Sequence, residues 1–248
     1  MTASLYVRQL GEGSPTLLLL HGLGVNGDVW EGFLERLSGW PGRIVVPDLR
    51  GHGRSPHAPR YSDVDHAADV AALVSSHDDI HIIGHSMGGV IGLTLAALAH
   101  NVKNVFAFAV KAEWNDAELI KLKQYAETPA RRFDTKAEAV ERFLRASGLK
   151  DLVGTDAPVV EAGITKDEAG YRLAADPRTV MVAGTSLRPI FRESKADSRL
   201  ACGSRDPLVT LAQLRAIDAS ALDLGPHGHN IHVEKPDQLF RAVAFLNG

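Results

Sequence analysis

Read for its apolar and polar positions, the chain switches between strand-like and helix-like periods. Residues 5–10 alternate loosely and stop at Gly11-Glu12-Gly13-Ser14-Pro15, a strong turn signal. Residues 16–20 form an apolar run of strand length, ended by His21-Gly22-Leu23-Gly24. In 28–37, Val29, Trp30, Phe33, Leu34 and Leu37 recur at helical spacing. Residues 43–47 predict a strand, and the polar loop Asp48-Leu49-Arg50-Gly51-His52-Gly53-Arg54-Ser55 follows. A helix is expected over 64–75 with Asp63 as its N-cap, then a short buried strand over 80–83. Residues 87–99 read as a helix rich in Ala, Gly and Leu, and 102–110 as another strand. Strands alternating with helices imply right-handed crossovers and a mostly parallel twisted sheet flanked by helices, an α/β fold.

The pattern changes from about residue 113 to 176. Only helical stretches are predicted there, over 117–125 and 136–146, with no strand alternation. Strand character returns at 199–202 and 221–224, and a last helix is expected over 236–246. A strand-free stretch this long is unusual inside an alternating α/β layer, so 113–178 is expected to be an inserted helical cap. The core is then 1–112 together with 179–248.

Composition narrows the function classes. Hydrophobic residues make up 45% and charged residues 23%, as in ordinary globular proteins. With 27 basic and 30 acidic residues the net charge is −3, so the basic surplus needed to bind nucleic acid is missing. No apolar run approaches the ~20 residues that span a bilayer, and residues 1–9 lack the features of a signal peptide. Cys202 is the only cysteine, so no internal disulfide can form, and it is expected to be a buried strand thiol. The expected setting is the cytoplasm and the expected partner a small-molecule substrate, without nucleic acid or membrane. Nothing in the pattern signals an oligomeric state.

Gly84-His85-Ser86-Met87-Gly88-Gly89 lies between the strand at 80–83 and the helix from 87, the context that the G-x-S-x-G pattern requires. A nucleophile on so tight a turn leaves no room for side chains at its flanks, which Gly84 and Gly88 provide. The turn lifts the Ser86 hydroxyl off the sheet and aims the first amides of the next helix at the reacting oxygen, where the helix dipole favours negative charge. Read blandly, the same segment is a glycine-rich turn with a serine N-cap.

With these residues in hand, the chain resembles the α/β-hydrolase fold family nearly end to end, least across the cap. His21-Gly22-Leu23-Gly24 is similar to the family's oxyanion loop. Gly203-Ser204-Arg205-Asp206-Pro207 is similar to the segment carrying the triad acid, and Gly228-His229-Asn230-Ile231-His232 to the one carrying the base. The chain order Ser, Asp, His is the family's. The resemblance implies Ser86 as nucleophile, His229 as general base, Asp206 as the acid orienting it, and the backbone N–H groups of Leu23 and Met87 as the oxyanion hole. His21, Gly22 and Trp114 are candidate walls of the substrate pocket, although His21 and His52 are expected mainly to brace loops. Trp30 is expected to pack. Such a triad needs neither metal nor organic cofactor, so none is expected.

Rivals exist for several of these roles. His227 and His232 lie near His229, and the three could in principle hold zinc. Glu113 or Asp116 could supply the acid. Arg131, Arg132, Arg142 and Arg145 could form a basic patch, but 113–178 carries 11 basic and 13 acidic residues, so paired, solvated helix faces are the expectation. The segment 21–30 also resembles the carboxyl methyl esterases of biotin synthesis, which act on acyl chains attached to a carrier protein. Ser86 disfavours the branches that use an aspartate nucleophile, and Asn230 disfavours the carbon–carbon hydrolases that carry a Trp after the catalytic His. The reading is a serine hydrolase cleaving a small carboxylic ester, lactone or thioester through an acyl-enzyme. Carbon–carbon cleavage or cofactor-free oxygenation by the same triad, and a non-catalytic ligand receptor on the same scaffold, remain as alternatives.

Overall fold

The strand that begins the core, Thr16–Leu20 (β2), is buried at all five positions. Successive side chains of a strand point to opposite faces. Leu18 and Leu20 accordingly join one apolar cluster and Leu17 and Leu19 the other. Both faces of the sheet are therefore covered, as a parallel sheet requires. In the computed structural model, which describes residues 2–37 and 39–243, seven strands form this sheet. They are Val7–Leu10 (β1), β2, Arg43–Pro47 (β3), Ile80–His85 (β4), Val102–Phe108 (β5), and, after a long excursion, Asp197–Cys202 (β8) and Leu222–Asp223 (β9). The spatial order is β1-β3-β2-β4-β5-β8-β9. Only β1, at one edge, is antiparallel to its neighbour. The mostly parallel α/β sheet predicted from the sequence is the architecture observed.

Between β3 and β5 the helices are Asp63–Ala71 (α2) and Met87–Leu98 (α3), preceded after β2 by the single turn Glu31–Leu34 (α1). Two local expectations are corrected. Ser62, not Asp63, caps α2: its Oγ accepts from the N–H of Asp65 at 3.0 Å, and Asp63 is the first helical residue. The helix expected over 28–37 is instead a 3₁₀ turn, Gly27–Trp30, capped by Asn26 and continued by α1. Asp48 explains the tight entry. Its buried carboxylate accepts from Gly27 N–H at 2.7 Å and from Arg54 N–H at 2.8 Å, pinning two loops together.

Between β5 and β8 the chain leaves the sheet. It forms Asp116–Ala126 (α4), Lys136–Ala146 (α5), Pro158–Ala162 (α6), the strands Ile164–Asp167 (β6) and Gly170–Leu173 (β7), a 3₁₀ segment at Pro177–Val182, and Leu187–Glu193 (α7). Capping boxes at Asn115/Glu118 and Thr135/Glu138 start α4 and α5. The expectation that 113–176 contains only helices is wrong. β6 and β7 pair as an antiparallel hairpin, with Ile164 opposite Leu173. Each strand has four residues and neither presents a buried face, so no clean alternation marks them. Tyr61 ties the end of this excursion to the core: its hydroxyl donates to Asp176 at 2.8 Å.

The chain closes with Leu211–Arg215 (α8), Ile231–Glu234 (α9) and Pro236–Ala242 (α10). The last helix was expected to reach 246; residues 244–246 lie outside those described. Among the described residues, no helix is long and apolar enough to cross a membrane.

Candidate active site

β4 delivers Ser86 to the carboxyl end of the sheet. Its register with β5 puts His85 opposite Phe108, and Ser86 N–H donates to the Phe108 carbonyl at 2.9 Å. Ser86 itself has φ 50° and ψ −113°, a region that L-residues avoid at a cost of about 1–3 kcal/mol. The surroundings enforce it. A Cβ on Gly84 would lie 2.5 Å from the Gly88 carbonyl oxygen, and one on Gly88 would collide with the Leu20 carbonyl. Both obstacles are backbone atoms that cannot swing away. Met87 is the first residue of α3, so its N–H has no intrahelical acceptor and points out of the helix start.

The loop after β2 presses against this turn. A Cβ on Gly22 would lie 2.6 Å from His85 Nδ1 and 3.5 Å from Ser86 Cβ. Leu23, next in the chain, lines the same cavity as Ser86, Met87 and His229. His21 does not line it. The His21 ring is fully buried, with Nε2 accepting from Leu49 N–H at 2.9 Å and Nδ1–H donating to the Gly22 carbonyl at 2.8 Å. Burial lowers its pKa to about 4, so it is a neutral strut between two loops. Gly22 likewise sits behind the cavity wall, while Trp114 forms part of that wall.

Asp206 and His229 come from the loops after β8 and β9. His229 Nδ1 lies 3.0 Å from Asp206 Oδ2, and Asp206 Oδ1 accepts from Leu208 N–H at 2.8 Å. The rival acids Glu113 and Asp116 are exposed. The rival base His232 is fully buried and does not reach the cavity. Its ring lies 4.4 Å from that of His85 and 4.9 Å from that of Trp30, and burial lowers its pKa to about 3. Trp30 is fully buried, in edge contact with Phe33 and Phe108. His227 faces Glu234 at 3.9 Å. Among the described residues, no three or more His, Cys, Asp or Glu side chains are grouped to hold a metal ion. Cys202 is buried at the end of β8, and burial raises its thiol to about 11.

Three features escaped the sequence reading. His85 lines the cavity, and its Nε2–H donates to the His229 carbonyl at 3.0 Å; burial, then His232 and His229, push its pKa well below the usual range. Asn230 donates to the carbonyls of Ser147 and Gly148, both at 3.1 Å, which ties the loop carrying His229 to the end of α5. Lys111 and Glu118 form an ion pair at 2.5 Å in the cavity wall. Lys111 follows closely on β5, and the carboxyl ends of parallel strands are where ligands bind, so position alone pointed to it. Arg131, Arg132, Arg142 and Arg145 surround one groove. Arg132 pairs with Asp167 and Arg145 with Glu141, Arg131 stacks over Phe133, and among the described residues Arg142 has no carboxylate partner. The expectation of paired charges thus holds for two of the four.

The cavity measures about 450 Å³, enough for a small organic molecule. An apolar chamber at the carboxyl end of a parallel sheet, with a serine on a strained strand-to-helix turn at its base, is the layout of one class of hydrolytic enzyme. The model of the alpha/beta hydrolase fold matches residues 15–236, and the chain belongs to that family. It is 34% identical over 261 residues to a pimeloyl-[acyl-carrier protein] methyl ester esterase of Aeromonas hydrophila, an alignment covering 99% of this chain and all of that enzyme. It is 35% identical over 100 residues to lipase LipV of Mycobacterium tuberculosis, covering 39% of this chain and 38% of the lipase. Among solved structures, E-2-(acetamidomethylene)succinate hydrolase superposes with a TM-score of 0.82 at 23% identity, covering 98% of this chain and 95% of that one. The chain is a hydrolase whose relatives include enzymes named as esterases and lipases.

Proposed function

We propose that the chain hydrolyses a small carboxylic ester, or a lactone or thioester, through an acyl-enzyme on Ser86. The observation that carries this reading is the 3.0 Å hydrogen bond from His229 to Asp206 at the edge of the cavity that Ser86 and His229 both line. With Nδ1–H committed to the carboxylate, the Nε2 of neutral His229 is a free base. It takes the Ser86 hydroxyl proton as the oxygen bonds to the substrate carbonyl carbon. The carbonyl electron pair moves onto oxygen, where the N–H groups of Leu23 and Met87 receive it. Such donors are worth about 3 kcal/mol each. His229 then returns the proton to the departing alcohol or thiol. Water repeats the sequence on the acyl-enzyme and releases the acid.

In this reading residues 113–178 act as the cap that roofs the cavity, since Trp114, Glu118 and Ala146 contribute to its lining. The ester-cleaving relatives support ester over carbon–carbon chemistry, and Asn230, engaged with the α5 end, occupies the position after the base.

The test is hydrolysis of p-nitrophenyl esters from acetate to decanoate by the wild type and Ser86→Ala. Turnover that falls by about four orders of magnitude or more in Ser86→Ala is expected. Absence of turnover in the wild type, with Ser86 still labelled by a phosphonate, overturns ester hydrolysis.

A further inference from the structure

The lining of the cavity before Ser86 mixes two kinds of side chain. Val25, Val90, Val110, Val182 and Leu208 are apolar, whereas Lys111, Glu118 and Lys121 bring charge. The anion in this set is already engaged. Glu118 Oε1 takes the Lys111 ammonium at 2.5 Å, and Oε2 takes the N–H of Asn115 at 3.1 Å as part of the capping box of α4. These contacts hold its carboxyl below the usual range, so it stays ionised.

The cations are not used up. An ammonium has three donors; Lys111 spends one on Glu118 and lies 4.5 Å from the centre of the Trp114 ring. Lys121, three residues beyond Glu118 on α4, lines the cavity, and among the described residues it makes no ion pair with any carboxylate. Two cations against one anion give the lining a net positive charge. Lys111 is partly buried, and partly buried charges are screened less by salt than exposed ones.

We propose that this pair of lysines binds a free carboxylate on the acyl part of the substrate, so that the ester cleaved is a monoester of a short linear dicarboxylic acid. The methylene chain packs against the apolar lining residues, with the ester carbonyl at Ser86 and the far carboxylate at Lys111 and Lys121. Hydrolysis then releases the alcohol and the free diacid. This inference rests on the ester-hydrolase reading for the reaction, but its recognition step can be measured without turnover.

The experiment is calorimetric binding of monomethyl adipate and dimethyl adipate to Ser86→Ala. The two differ only in the charge at the far end. A monoester bound about tenfold more tightly than the diester is expected, as is typical of a charge-assisted hydrogen bond. Lys121→Met in the same background is expected to remove most of that preference, and Lys121→Glu to reverse it, with circular dichroism verifying the fold of each. Equal affinities for the two esters, or a preference that survives in a Lys111→Met/Lys121→Met double variant, overturn the inference while leaving the hydrolase reading untouched. Failure of the wild type to turn over any ester overturns the hydrolase reading and leaves the binding comparison valid.

Discussion

His229 Nδ1 lies 3.0 Å from Asp206 Oδ2, and the other oxygen of that carboxylate is held by the Leu208 amide at 2.8 Å. The carboxylate therefore cannot rotate away, and it accepts at the one nitrogen that fixes the imidazole tautomer. Asp206→Asn replaces an acceptor with a group that can donate, which favours the wrong tautomer. We expect kcat to fall about 10³- to 10⁴-fold with the fold intact. The check is kcat on p-nitrophenyl butyrate together with the melting temperature; a loss of less than tenfold would remove Asp206 from the role.

The Nε2–H of His85 donates to the backbone carbonyl of His229, linking the end of the strand that carries Ser86 to the loop that carries His229. If His229 is the base, as proposed, His85 is a positioning residue. His85→Phe keeps the ring and loses the donor, whereas His85→Gln retains an N–H of similar reach. We expect His85→Phe to lower kcat about tenfold with KM little changed, and His85→Gln to recover most of it. A fall in KM and kcat together, unrelieved by Gln, would point to general disorder of the site.

The elbow was legible in the sequence because its constraints are local. Gly84, Ser86 and Gly88 sit within five residues, and a Cβ on Gly84 would meet the Gly88 backbone; only the clash at Gly88, with the Leu20 carbonyl of β2, is distant in sequence. The sheet was legible for a different reason: buried parallel strands carry continuous apolar runs, as in 17–20 and 44–46. Asp206 and His229 are 23 residues apart on separate loops, and no periodicity joins them; only the family resemblance did. The hairpin of β6 and β7 was missed because its half-exposed four-residue strands carry no alternation. The start of α2 was misplaced by one residue because Ser62 and Asp63 can both cap a helix. What decides is that the Ser62 hydroxyl both accepts from the Asp65 amide and donates to the Asp65 carboxylate at 2.8 Å.

Gly88→Ala tests the packing behind the elbow. The added methyl would enter the space of the Leu20 carbonyl, a backbone atom in the centre of the sheet. Relief requires α3 to move off β2, which disturbs both the Met87 amide and Ser86. A destabilisation above about 3 kcal/mol is expected from such overpacking. Chemical denaturation would measure it, and a stable, active Gly88→Ala protein would contradict the close approach.

Acid should destabilise this fold through histidines that it buries neutral. His21 is held at about 4 and His232 at about 3, both chiefly by burial, while an unfolded chain titrates near 6.5. Because the folded values are depressed, the unfolded state binds the extra protons. The stability contributed by the neutral rings is complete above about pH 6.5. It drains away as the pH falls, through pH 4 for His21 and pH 3 for His232. At pH 5 each costs about 2 kcal/mol relative to pH 8. Among the described residues, neither ring nitrogen of His232 has a hydrogen-bond partner, and the ring lies against Trp30 and His85. His232→Phe keeps an aromatic ring there and removes the titrating group. Urea denaturation at pH 8 and pH 5 should show the acid penalty shrinking by about 2 kcal/mol in the variant. An unchanged penalty would mean that His232 is not one of the groups through which acid acts.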